Sequence, residues 1–146
     1  PLNLDAWDGY GPARERFAQD VLSFADNVVV LSGDTHNSWA FDLLDRSGRQ
    51  FGVELGTTSV TSPGLENGFS MAPEELVRRL QTVNPHLRFA NTKDRGYMVL
   101  TVGRDEVVAE WLYVDTVESR DFVERLGATV RVRPSDGPGS RSLEIG

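Results

Sequence analysis

The apolar positions of this chain follow two different periods. Over residues 11–25, Ala13, Phe17, Val21, Leu22 and Phe24 recur near helical spacing with polar residues between them. Pro12 falls in the first turn, where its missing N–H breaks no hydrogen bond, so the spacing predicts an amphipathic helix. Asp26 and Asn27 punctuate it, and residues 28–31 (Val-Val-Val-Leu) form a β-branched run without alternation. Such a run predicts a central strand of an α/β sheet, covered on both faces. Residues 39–44 and 50–55 are short strand candidates around the turn-forming Asp45-Arg-Ser-Gly string and predict an antiparallel hairpin. A second helix opens at Ala72 with Pro73, Glu74 and Glu75 in its first turn, carries Leu76, Leu80 and Val83 as an apolar stripe, and ends before Pro85. Residues 97–102 and 107–114 read as a further hairpin around residues 103–105. Beyond Asp115 the pattern predicts a short helix over 122–126, a strand over 128–132 and a flexible tail. Residues 1–10 and 56–68 read as loops, the second long and rich in Gly, Ser, Thr and Pro. The organisation expected is therefore one α/β unit over residues 1–133 followed by a tail at 134–146.

Composition narrows the function. The 146 residues carry 22 acidic against 15 basic side chains, a formal net charge of −7. That surface repels phosphate backbones and anionic lipid, which argues against a nucleic-acid scaffold and a polybasic membrane anchor. Any phosphate chemistry on it calls for metal ions. Cysteine is absent, so disulfides, thiolate metal sites and a thiol nucleophile are excluded from this chain. The longest apolar runs are far shorter than the roughly 20 residues a bilayer span needs. The chain opens on Pro1-Leu-Asn without a charged-then-apolar leader, which is expected of a processed protein or of the later part of a longer polypeptide.

The sharpest chemical string is Gly33-Asp34-Thr35-His36, directly after the valine-rich strand. Loops at the carboxyl ends of sheet strands are where ligands collect in open α/β folds. An aspartate and a histidine two positions apart in a turn can face one crevice, and a glycine lets the backbone approach a bound ion closely. The carboxylate is a hard oxygen ligand and the imidazole a borderline nitrogen ligand, so the two suit unlike metals. The same residues also suit a purely structural turn, with Asp34 capping backbone amides and His36 a hydrogen-bonded loop residue. Two ligands do not complete a catalytic metal site, which takes about three or more. His86, the other histidine, reads as a loop residue, and Asn3, Asp5, Trp7, Asp8 and Tyr10 as turn formers or as an aromatic pocket wall. Residues 57–64 are rich in hydroxyls but lack the Gly-x-Ser-x-Gly elbow of a serine hydrolase. Arg95 could grip a phosphate with its guanidinium, although a surface ion pair suits it better. Glu74, Glu75, Arg78 and Arg79 read as ion pairs on a solvated helix face.

The string Asn27-Val-Val-Val-Leu-Ser-Gly-Asp-Thr-His-Asn-Ser-Trp-Ala resembles the last metal-binding block of the PhoD-like alkaline phosphatases, within the wider metallophosphatase group. Further blocks agree in order: Asp5-Ala-Trp-Asp-Gly-Tyr, Thr58-Ser-Val-Thr-Ser-Pro-Gly, Asn84-Pro-His-Leu-Arg-Phe, Arg95-Gly-Tyr, and Ala109-Glu-Trp-Leu-Tyr-Val-Asp-Thr-Val. The resemblance spans most of residues 3–117. It implies the C-terminal half of an α/β sandwich of two mixed sheets flanked by helices, hydrolysing phosphate monoesters or diesters with metal ions, iron and calcium among them. It implies Asp34 and His36 as metal ligands, transfers no role to Asp5, Asp8 or His86, and implies a periplasmic or extracellular location. The family's earlier aspartate-rich and Asp-Asp-His-Glu motifs are absent, so an N-terminal half of the same protein is expected as the partner, and this chain alone is expected to be inactive. Competing expectations are a non-catalytic binding module on the same scaffold, and a phospholipase D-like or nuclease diesterase.

Overall fold

The computed structural model describes residues 6–25, 28–134 and 141–146. Helix α1 (Gly11–Phe24) forms where the period predicts it, with Pro12 in its first turn and Ala18 and Val21 buried. Its apolar stripe lies on Leu43 and Phe51, with Phe17, Leu22, Val28 and Val30 at the margin.

Four strands make the sheet beneath it, in the order β1 (Val29–Ser32), β3 (Gln50–Gly56), β2 (Ser38–Leu44), β4 (Leu87–Asn91). β1 runs parallel to β3, and the β2–β3 hairpin and the β2–β4 pair are antiparallel. The expectation of a central strand over residues 28–31 is corrected. Among the described strands β1 stands at the sheet edge, and Leu31 is 58% exposed. A run of four apolar residues reports the cover it is suited to, not the cover present, so periodicity cannot separate the two cases. A bulge opposite Leu43 and Leu44 places Phe51 under α1, whereas Val53 and Leu55 face the second sheet. Strand β4 arises from a segment to which the pattern assigns no element. Helix α2 (Pro73–Val83) packs beside it through the buried Leu76.

The second sheet is a meander of β5 (Arg95–Val102), β6 (Val107–Val114), β7 (Glu124–Pro134) and β8 (Arg141–Ile145), antiparallel throughout. The two-sheet sandwich is therefore present, but only its first sheet is mixed. The short helix expected over 122–126 is likewise corrected: residues from Glu124 onward join β7, because the continuous ladder offered by β6 outweighs a single turn of helical spacing. Residues 141–145 of the expected tail pair with β7 instead of remaining free.

Between the sheets, Ala40, Val53 and Leu55 meet Ala109, Trp111, Tyr113, Val130, Val132 and Leu143. The period-2 alternation of β6 sends Ala109, Trp111 and Tyr113 inward together. Two polar handles cross this apolar layer. The Trp111 indole N–H donates to the Gly56 carbonyl at 3.0 Å, and the Tyr113 hydroxyl donates to Ser38 Oγ at 2.9 Å. The Tyr113 ring lies directly over Gly127, where a β7 bulge leaves a glycine and a Cβ would fall 2.0 Å from the ring. Burial pushes the Tyr113 phenol up to about 12.

Candidate metal centre

Between β1 and β2 the chain reverses through Gly33, Asp34, Thr35, His36 and Asn37. The Thr35 N–H donates to the Gly33 carbonyl at 2.8 Å across Asp34, whose φ is 69°. A three-residue turn of that sign is the rare, strained γ form. His36 follows with φ 61°, and these are the only two non-glycine residues with positive φ among the described residues. Asp and His tolerate the left-handed region better than most side chains, yet two in one five-residue turn persist only where surrounding contacts over-determine them.

Those contacts are present. Asn37 is fully buried; its amide nitrogen donates to the Thr35 carbonyl, and its oxygen accepts the Leu65 N–H at 3.1 Å. The Thr58 hydroxyl lies 3.2 Å from the His36 carbonyl and 2.8 Å from that of Asp94, sharing its single proton between the turn and the start of β5. The Trp39 indole donates to Thr35 Oγ1 at 2.7 Å.

The His36 ring is set by the long loop opposite. Its Nδ1 stands 2.9 Å from the Pro63 carbonyl oxygen, which can only accept. Nδ1 is therefore the N–H, and the neutral ring carries its lone pair on Nε2. Metal-bound histidines are typically held in this way, with the non-ligating nitrogen donating to a carbonyl or carboxylate. Asp34 is exposed at the tip of the turn. The donor set, one carboxylate oxygen and one imidazole nitrogen, is of a chemistry that could hold metal ions. It is not a complete cage, since among the described residues no three His, Asp or Glu side chains are grouped as metal ligands would be.

The other candidates fall into place around the turn. His86 stacks against Phe41 with ring centroids 5.6 Å apart. It lines an aromatic cleft of about 330 Å³ with Trp7, Trp39 and Phe41, to which Gly33 and Thr35 also contribute. Asp5 lies outside the described residues, as does the side chain of Asp8. Arg95 is 9% exposed and pairs with the half-buried Glu66 while donating to the Lys93 carbonyl at 2.7 Å, so it forms a partly buried ion pair and not a surface one. The hydroxyl-rich loop serves as scaffold: Thr58 holds the turn, and Ser59 donates to the Ser62 carbonyl. On α2, Glu75 pairs with Arg78 at 2.6 Å and Arg79 at 2.7 Å, and the guanidinium hydrogen bonds hold its carboxyl below the usual range. Glu74 pairs instead with Lys93 at 2.7 Å.

Sequence reasoning missed three contributors: Asn37, Gly64 and Glu66. Asn37 was adjacent to a recognised motif, and Gly64 closes a Pro-Gly dipeptide. At Gly64 a Cβ would stand 2.4 Å from Asn37 Oδ1, 2.8 Å from the His36 carbonyl oxygen and 2.9 Å from Glu66 Oε2, so only glycine fits against the turn. Glu66 carried no local signal.

A family model for PhoD-like phosphatases matches residues 1–111, the whole stretch from the amino end through the turn, its supporting loop and most of β6. This chain belongs to the PhoD-like phosphatase family. Alkaline phosphatase D of Bacillus subtilis (strain 168) is 36% identical over 138 residues, 91% of this chain and 22% of that protein. The solved structure of PhoD matches 95% of this chain with a TM-score of 0.74 at 28% identity, and 26% of that chain is covered. The sandwich described above is thus a PhoD-like fold in part, and the chain spans about a quarter of the length of the PhoD-like proteins it matches. Among the described residues, no helix is long and apolar enough to cross a membrane.

Proposed function

We propose that this PhoD-like chain supplies Asp34 and His36 as metal ligands to a metal-dependent phosphoric ester hydrolase, the remaining ligands coming from polypeptide outside this chain. The observation that carries the proposal is the hydrogen bond from His36 Nδ1 to the Pro63 carbonyl, which leaves the lone pair on Nε2, in a strained turn that also carries Asp34. A bound metal would polarise phosphoryl oxygens and offset the charge that develops as the ester bond breaks. Within this chain, Asp34 suits a harder ion such as calcium and His36 a transition metal such as iron. The surrounding hydrogen bonds hold the turn and the His36 ring before substrate arrives, and the aromatic cleft that Gly33 and Thr35 also line offers apolar walls for an organic group. The overall charge of −7 makes anionic ester substrates dependent on that metal charge for capture.

A second reading has one observation in its favour. Because among the described residues no three His, Asp or Glu side chains are grouped to hold a metal, the described part of the chain by itself matches a non-catalytic module. One experiment separates them: hydrolysis of p-nitrophenyl phosphate and bis(p-nitrophenyl) phosphate by the polypeptide that includes this chain with its companion segment, before and after chelation, against this chain alone. The proposal expects activity only in the combined material, lost on chelation and restored by metal. Undiminished turnover in metal-free protein would overturn it. The ratio of the two rates distinguishes a monoesterase from a diesterase. An exported location is proposed with this function, and fractionation of producing cells tests it.

A further inference from the structure

We propose that Glu66 and Arg95 are positioning residues for His36, acting through a single peptide plane. The inference rests on His36 as a metal ligand for its purpose, but its geometry stands without any metal. The carbonyl that accepts from His36 Nδ1 belongs to Pro63, and the N–H of the same peptide unit belongs to Gly64. In a trans peptide these two groups point in opposite directions from one rigid plane, so holding the N–H fixes the direction of the C=O. Glu66 holds it: Oε1 accepts the Gly64 N–H at 3.2 Å.

The same carboxylate oxygen is gripped by the Arg95 guanidinium, whose other nitrogen donates to the Lys93 carbonyl at 2.7 Å. Arg95 opens β5, so the chain of contacts runs from the second sheet through Arg95, Glu66 and the Pro63–Gly64 plane to the imidazole. A loop of this length would otherwise let that plane rotate. Partial burial makes the linkage costly to break, since removing Glu66 leaves the buried Arg95 charge without its partner. Glu66 Oε2 is buried with no hydrogen-bond partner among the described residues, so Oε1 alone carries the carboxylate's contacts with Gly64 and Arg95. Gly64 completes the arrangement, because its missing Cβ lets the plane lie against Asn37, the His36 carbonyl and Glu66 at once.

The readout is the tautomer of His36, measured by long-range ¹⁵N–¹H correlation on the ¹⁵N-labelled chain at a pH where both rings are neutral. With only two histidines, the ring patterns are assigned by one His86→Gln variant. The proposal expects His36 as the Nδ1–H form, against the Nε2–H form that free imidazole side chains favour in water. Glu66→Ala should move His36 towards Nε2–H and leave His86 unchanged. Arg95→Lys should move it the same way by less, and Glu66→Gln, which keeps an acceptor for Gly64, should move it least. A wild-type His36 in the Nε2–H form overturns the proposal without recourse to any variant, as does a folded Glu66→Ala protein with the wild-type tautomer. Should Glu66→Ala fail to fold, the wild-type pattern and Arg95→Lys decide. Co²⁺ titration, read by paramagnetic broadening of the His36 ring, separates the positioning claim from the metal reading. Roughly 10-fold weaker Co²⁺ binding in Glu66→Ala is expected of a lost outer-shell partner. A changed tautomer with unchanged Co²⁺ binding would uphold the positioning role and remove the metal reading.

Discussion

Replacing Trp111 with phenylalanine tests how the second sheet holds the first at the base of the site. Trp111 has no exposed surface, its ring packs 5.1 Å from Phe89, and its indole N–H reaches the Gly56 carbonyl at 3.0 Å, immediately before the loop that carries Thr58 and Pro63. Phenylalanine keeps the aromatic packing but withdraws the only donor that crosses to Gly56 from this side chain. The hydrogen bond contributes about 0.5–1.5 kcal/mol net. The ring atoms removed exceed the single methyl of an Ile→Val change, which costs about 0.5–1.5 kcal/mol in a packed core. The expected destabilisation is therefore about 2 kcal/mol, well outside the scatter of surface substitutions. Urea unfolding followed by far-ultraviolet circular dichroism measures it without relying on the fluorescence that the substitution alters. The midpoint should fall while the denaturant slope stays constant. A loss below about 0.5 kcal/mol would refute the view that this contact ties the sheets together.

Gly127→Ala should drive the Tyr113 ring off its seat, since the new Cβ would fall 2.0 Å from it, and circular dichroism melting should show a lower midpoint than for Gly103→Ala on the exposed β5–β6 turn. Tyr113 also sets an alkaline limit: its phenol ionises near 10 when unfolded and about 12 when folded, so its contribution is complete below pH 10 and is lost as pH rises towards 12. The loss is on the order of 2–3 kcal/mol, and Tyr113→Phe, measured by urea unfolding between pH 9 and 11.5, should flatten that decline; an equally steep decline in the variant would dismiss the assignment.

Local periodicity made much of this fold legible. Both helices, the β2–β3 hairpin and the β5–β6 hairpin follow from spacing and turn residues, because each is settled by contacts close in sequence. What failed was set by distant partners. The valine run of β1 says nothing of which neighbour covers it, the helical spacing near Phe122 yields to the ladder along β6, and the Arg- and Ser-containing end becomes β8 only because β7 offers an edge. The site divides the same way. Asp34 and His36 stand out as a motif, whereas the contacts of Asn37 with Leu65, His36 with Pro63 and Glu66 with Arg95 span 27 to 29 residues of chain and no local pattern encodes them.

The most direct test of the account is the metal content of the assembled protein, this chain together with its companion segment, measured by elemental analysis in wild type, Asp34→Ala and His36→Ala forms. The account predicts a stoichiometric transition metal in the wild type, its loss from His36→Ala, and loss of the harder ion from Asp34→Ala. Variants that keep the full wild-type complement would contradict it.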